Sequence, residues 1–201
     1  MSNFDIAKKV ILNTGGIVKT SDLKYAGLKN YEISNLCENN MIDRIRQGFY
    51  CLSDSTISEE QILATVLPEG IICLEAALYH YGYSDYAPLV WTIAVPRAIS
   101  LSKLNINGLP IKPHFIQKQN YELGKTTDDF NGFTLNVYDR ERTICDCFKY
   151  KNQLDSEIFN KAINAYIADD KKNLENLSKY AKQLKVYKKV TELIGILLNG
   201  R

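Results

Sequence analysis

The chain contains no run of about 18 apolar residues, so it offers no candidate membrane-spanning helix. Its first residues, MSNFDIAKKVILNTGG, lack the uninterrupted apolar stretch and small-residue cleavage site of a secretory signal. A cytoplasmic location without membrane contact is therefore expected. There is no CxxC pair and there are only two histidines, His80 and His114. The five cysteines, Cys37, Cys51, Cys73, Cys145 and Cys147, are odd in number and irregularly spaced. That spacing suits neither a disulfide framework nor a zinc site, and buried reduced thiols are expected instead. No GxGxxG and no Walker pattern occurs, so no phosphate-cradling loop, metal or cofactor is expected.

A large excess of one charge is also missing. The formal net charge of +2 excludes nothing, but its distribution is uneven. Residues 1–52 carry +2, residues 53–169 carry −5 and residues 170–201 carry +5. Positive ends are compatible with polyanion contact and equally with solvated lysine-rich helix faces. The composition, 45% hydrophobic and 24% charged, is that of an ordinary globular chain able to bury a core.

The N-terminal segment is the most informative. Phe4, Ile6, Ala7, Val10 and Ile11 recur at helical spacing, which predicts a helix over 3–13 that Gly15-Gly16 stops. Thr20 or Ser21 can cap a second helix, which carries Leu23 and Ala26 inward and ends at Gly27. Asn30 can cap a third, over 31–39, whose inner face is Ile33, Leu36 and Cys37. Residues 41–52 alternate around Gln47-Gly48 as a two-strand ribbon. Helix, helix, glycine turn, helix and ribbon is the order of a winged helix-turn-helix.

In that motif the third helix enters the major groove and must present donors and acceptors to base edges. Here it offers Tyr31, Ser34, Asn35 and Asn39, preceded by Lys29 and Asn30, and Asn35 can read an adenine edge bidentately. Lys24, on the second helix, joins this set. The ribbon offers Arg44, Arg46 and Gln47. The two arginines lie two residues apart and are expected on one strand face, suited to phosphate or the minor groove. Glu32 and Glu38 on or near the reading helix would repel phosphate.

The expected fold class is α+β. The N-terminal winged helix-turn-helix covers 1–54, a linker helix capped by Ser55 or Ser58 covers 55–68, and a mixed α/β domain ending in a helical bundle covers 69–201. That second domain is read as a helix within 71–81, strands at 89–95, 111–117 and 133–138, a helix capped by Asp139, and helices over 155–168, 173–184 and 187–198. In the segment Asp-Arg-Glu-Arg-Thr-Ile-Cys-Asp, the carboxylates Asp139, Glu141 and Asp146 suggest Mg²⁺ or acid–base chemistry. The simpler reading is an ion pair between Arg142 and Asp146, four apart on a helix. Tyr79 to Tyr83, with His80 among them, reads as packed aromatics. Lys182, Lys185 and Lys189 are spaced to form a basic stripe, a candidate second surface for nucleic acid or protein.

Taken in order, several stretches resemble the AbiEi antitoxins of bacterial abortive-infection systems, grouped with type IV toxin–antitoxin pairs. They are Asp43 through Leu52, Leu74 through Gly82, Val137 through Asp146 with Asp139, Arg142, Thr143 and Asp146, and Asn173 through Ala181. Asn40 stands where a glycine is more usual, a position that asparagine tolerates in left-handed geometry. The resemblance implies a non-enzymatic antitoxin that binds double-stranded DNA at its own promoter and represses its operon. It also implies antagonism of a nucleotidyltransferase toxin without a stable complex. The alternative is a protein-interaction or nucleic-acid-processing module, with the winged helix as a docking surface and the 139–146 region doing chemistry.

Overall fold

The structure, a computed structural model, describes residues 2–199. The expected C-terminal domain ran to 201, and its last two positions lie outside the described residues. The fold is α+β, built from two compact units. The first comprises the residues up to Pro68 together with Ser100–Pro110 and Phe130–Phe133. The second comprises Glu69–Ile99, Ile111–Asp129 and the described residues from Thr134 onward. Residues 55–68 are thus part of the first unit and not a linker, and two later excursions of the chain return to that unit. Among the described residues, no helix is long and apolar enough to cross a membrane.

In the first unit, α1 (Asn3–Asn13), β1 (Val18–Lys19), α2 (Thr20–Tyr25), α3 (Asn30–Glu38), β2 (Ile42–Arg46), β3 (Phe49–Leu52) and α4 (Glu59–Val66) follow one another. The three strands form an antiparallel sheet in the order β1-β3-β2. Ala7 and Ile11 of α1, Leu23 of α2, and Ile33 and Leu36 of α3 are buried with Val18, Leu28, Ile42, Tyr50 and Leu52 in one core. The helical periodicity in the sequence found this face. Asn40 has φ +53, the left-handed conformation expected of it.

The helix caps differ from expectation. Thr20 and Asn30 lie inside α2 and α3, and the capping positions are Lys19 and Lys29. In each case a carboxylate three residues further on reaches back to the cap amide. Asp22 accepts from Lys19 N–H at 3.4 Å and Glu32 from Lys29 N–H at 2.7 Å. Ser58 caps α4 through Gln61 N–H, as one of the two expected serines.

The second unit holds β4 (Ile71–Ile72), α5 (Leu74–His80), β5 (Trp91–Pro96), β6 (Ile111–Ile116), α6 (Lys118–Tyr121), β7 (Lys125–Phe130) except its last residue, β8 (Phe133–Tyr138) except its first, α7 (Arg140–Lys149), α8 (Ser156–Ala168), α9 (Leu174–Gln183) and α10 (Tyr187–Asn199). The sheet order is β6-β5-β4-β8-β7, with β5/β6 and β4/β8 parallel and β4/β5 antiparallel. Strand β7 was not expected. Its residues are exposed except Phe130, so no apolar alternation marks it. Asn131 and Gly132, both at positive φ, join it to β8 in the manner of a type I′ hairpin turn. Helices α7 to α10 bury Ile144, Phe148, Phe159, Ile163, Tyr166, Leu177 and Ile194 in one cluster.

Candidate nucleic-acid interface

The reading-helix candidate α3 buries Ile33 and Leu36 and turns its remaining residues outward or to the rim. Tyr31 is 60% exposed, Lys29, Asn30 and Asn35 are exposed, and Ser34 is half-buried. The side-chain amides of Asn30 and Asn35 make no bond among the described residues, which leaves their donors and acceptors available to a ligand. Asn39 is not on this face. It is the C-cap residue, and its side chain donates to Asn35 O at 2.7 Å. Glu32 is committed to the helix start: the Lys29 N–H bond holds its carboxyl below the usual range, and Tyr31 Oη donates to its other oxygen. An anion there complements the helix dipole and is a structural cap.

The approach to α3 is a tight corner. Gly27 has φ +102 and no atom crowds the position a Cβ would take, so conformation and not space calls for glycine. On this corner sit Lys24, exposed, and Tyr25, which is 97% exposed. Tyr25 was not among the expected contacts. Nothing in the periodicity marks it, because a residue on the last turn of a six-residue helix can face either way.

The ribbon corrects the sequence reading. Arg44 pairs with Tyr50 and Arg46 with Phe49, so Ile45 is an inserted bulge residue. Tyr50 and Phe49 are neighbours on β3 and point to opposite faces, and the arginines follow them. Arg44 lies over the Tyr50 ring at 5.6 Å and Arg46 over the Phe49 ring at 4.7 Å. The two arginines are therefore not on one face. Lys19 of β1 lies on the other side of Phe49, 5.9 Å from the ring, so one sheet face carries Lys19, Phe49 and Arg46 in a row.

The ribbon is also braced. Arg46 Nη1 donates to Lys103 O at 3.0 Å, Asn107 N–H donates to Ile45 O at 2.7 Å, and Asn107 Nδ2 donates to Arg44 O at 2.7 Å. The turn carbonyl of Gly48 accepts from Thr20 N–H at 3.0 Å. All these partners belong to the first unit. Gln47, at the turn, is exposed.

Asp139, Arg142, Thr143 and Asp146 form a different kind of site. Asp139 caps α7, accepting from Arg142 N–H at 2.8 Å and from Tyr180 Oη at 3.0 Å. Arg142 Nε donates to Asp146 Oδ2 at 3.0 Å, the i,i+4 pair that the spacing suggests, with side chains 0% and 2% exposed. Arg142 Nη1 donates to the carbonyls of Asn120 and Leu123, each at 2.7 Å, and the guanidinium lies 4.0 Å from the Tyr138 ring centre. Thr143 Oγ1 donates to Tyr138 O at 3.2 Å. Glu141 accepts from Tyr166 Oη and Asn173 N–H. Burial pushes the Asp139 carboxyl up. Gly124 closes the cluster: at φ +72, an added Cβ would sit 2.5 Å from Arg142 Cβ. Among the described residues no group of three or more His, Cys, Asp or Glu is placed to hold a metal.

Cys51, Cys73, Cys145 and Cys147 are buried, Cys37 is partly buried, and all five are free thiols. Burial pushes the Cys145 thiol well above its usual range, as befits packing and not nucleophilic use. His80 packs edge-on against Tyr81, as the aromatic reading implies, and also bonds Asp128 at 2.9 Å.

The basic stripe does not form as one helical row. Lys182 lies on α9, Lys189 on α10, and Lys185 sits between the helices with φ +62. That left-handed residue ends α9, so the three lysines do not share a helix.

No family model matches the chain, and no curated protein matches it. Among solved structures, the crystal structure of the Rv2827c protein from Mycobacterium tuberculosis is similar, with a TM-score of 0.64 at 12% identity. The match covers 88% of this chain and 69% of that one. At that identity the likeness is one of fold.

Proposed function

We propose that the first unit is a winged helix-turn-helix that binds double-stranded DNA. The observation that carries this reading is the outer face of α3. Asn30 and Asn35 make no side-chain bond among the described residues, and they lie near the exposed Tyr31 and the cations Lys24 and Lys29. A polar face built only for solubility needs no such amides, whereas base edges are read by paired donors and acceptors. Lys19 and Arg44 supply phosphate contacts from the two faces of the ribbon, and the Lys103 and Asn107 bonds hold its geometry.

On the AbiEi resemblance, the protein is a cytoplasmic, non-enzymatic antitoxin and autorepressor of its own operon. The second unit counteracts a nucleotidyltransferase toxin without a stable complex. The internal bonds of Asp139, Glu141 and Asp146 favour a scaffolding part for the 139–146 region over chemistry.

Fluorescence anisotropy on the protein's own upstream DNA, against scrambled DNA at several salt concentrations, tests the first claim. Upstream preference that weakens with salt, and weakens further in Arg44→Ala, is expected. Equal affinity for both DNAs at every salt would sink it. Coexpression with the nucleotidyltransferase toxin that this reading places in the same operon tests the second: relief of growth arrest by the chain with Arg44→Ala is expected, and the lack of such a gene, or no relief by either form, rejects it.

A further inference from the structure

A cleft of about 340 Å³ in the second unit lies among the end of β6, α6, the end of α7 and the α9–α10 turn. Its described lining holds three cations, Arg97, Lys149 and Lys185, and no carboxylate. None of the three forms an ion pair among the described residues. Lys185 is held there at a backbone cost: at φ +62 glycine is the unstrained choice, and the chain carries lysine instead. Burial holds the Lys149 ammonium below its usual range, against the pull of Asp146. Such a site gains from an anion that compensates the clustered charge.

The rest of the lining narrows the anion. Gln183 Nε2 donates to Gln119 O and Asn120 Oδ1, each at 3.2 Å, which orders the amide groups at the mouth. Phe115, 41% exposed, and Tyr150 add aromatic faces. Cations for phosphate, amides for hydrogen bonding and aromatic rings for stacking are together what a nucleotide requires. The volume falls in the range of small-molecule sites, roughly 300–1,000 Å³.

We propose that this cleft binds a nucleotide through its phosphate, with Arg97, Lys149 and Lys185 as the phosphate ligands. The site belongs to the second unit and does not depend on DNA binding by the first. The nucleotide is either free or part of a single strand, and both present the same phosphate chemistry.

The test is titration of the full chain with ATP, with AMP and with a fluorescein-labelled single-stranded RNA hexamer. Saturable binding is expected for at least one probe, with a loss of about tenfold or more in Arg97→Gln/Lys149→Gln/Lys185→Gln. Lys185→Gly, which relieves the backbone and so keeps the fold, is expected to weaken the same probe without lowering the melting temperature. The charge-matched variant Lys9→Gln/Lys171→Gln/Lys179→Gln is expected to bind as the parent does. Binding of ATP or AMP identifies the free nucleotide as ligand, and binding of the hexamer without competition by either identifies a strand. Saturation by no probe, or equal losses in the two triple variants, overturns the proposal.

Discussion

Helices α3 and α7 are nearly equal in length, nine and ten residues, and both begin with a carboxylate acting at the cap. They use their polar side chains in opposite ways. On α3 two residues are buried, and the exposed Asn30 and Asn35 have no side-chain partner among the described residues. On α7 eight of ten residues are buried, and Arg142, Thr143 and Asp146 are bonded within the second unit. Residue type does not separate an open polar surface from a structural lock. What separates them is whether the fold supplies the hydrogen-bond partners, because a buried polar group without one costs more than a bond returns.

The sharpest way to break this contrast is Arg142→Ala. It leaves the Asp146 carboxylate buried and unpaired, and a loss of about 3–5 kcal/mol in unfolding free energy is expected. Arg142→Met/Asp146→Leu removes both charges and is expected to recover much of that loss in denaturant titration. If the single and double variants were equally unstable, the ion pair would not be the reason. Gly124→Ala attacks the same lock from outside. It combines a left-handed backbone with a clash against Arg142 Cβ, and about 2–4 kcal/mol is expected from thermal unfolding.

On the other side of the comparison, Asn35→Ala is expected to cost about 1–3 kcal/mol in affinity for the upstream DNA. Its stability is expected to change by no more than about 0.5 kcal/mol, as for exposed positions without partners. A large loss of stability instead would place Asn35 with the structural residues. The smallest effect is expected at Glu32. Its carboxyl titrates below the ordinary value of 4.5 because the folded state bonds the ionised form, so its stabilisation is present above that value. It is lost as pH falls through the lowered folded value. The protection factor of the Lys29 amide, its NMR exchange rate taken relative to the intrinsic rate at each pH, is expected to fall between pH 6 and pH 3, and Glu32→Gln is expected to flatten the profile.

Much of the architecture was legible in the residues. Apolar spacing located α1, α2 and α3, the ribbon and the last three helices, because each buries a face whose period its own residues set. The Arg142–Asp146 pair was legible for the same reason, as an i,i+4 spacing on one helix. Strand β7 was not, since its five exposed residues show no alternation. The basic stripe failed because Lys185 breaks the helix by taking a conformation that its identity disfavours.

The sequence by itself determined the order of elements, the inner faces of the helices, Asn40 as a left-handed residue and the cap at Asp139. These follow from periodicities and bonds that span a few residues. Only the tertiary structure decided that the ribbon arginines face apart, that residues 100–110 return to brace them, and that Arg97, Lys149 and Lys185 converge on one cleft. A bulge is set by the register of the partner strand. A brace or a cluster is set by residues tens of positions away, whose meeting no local pattern encodes.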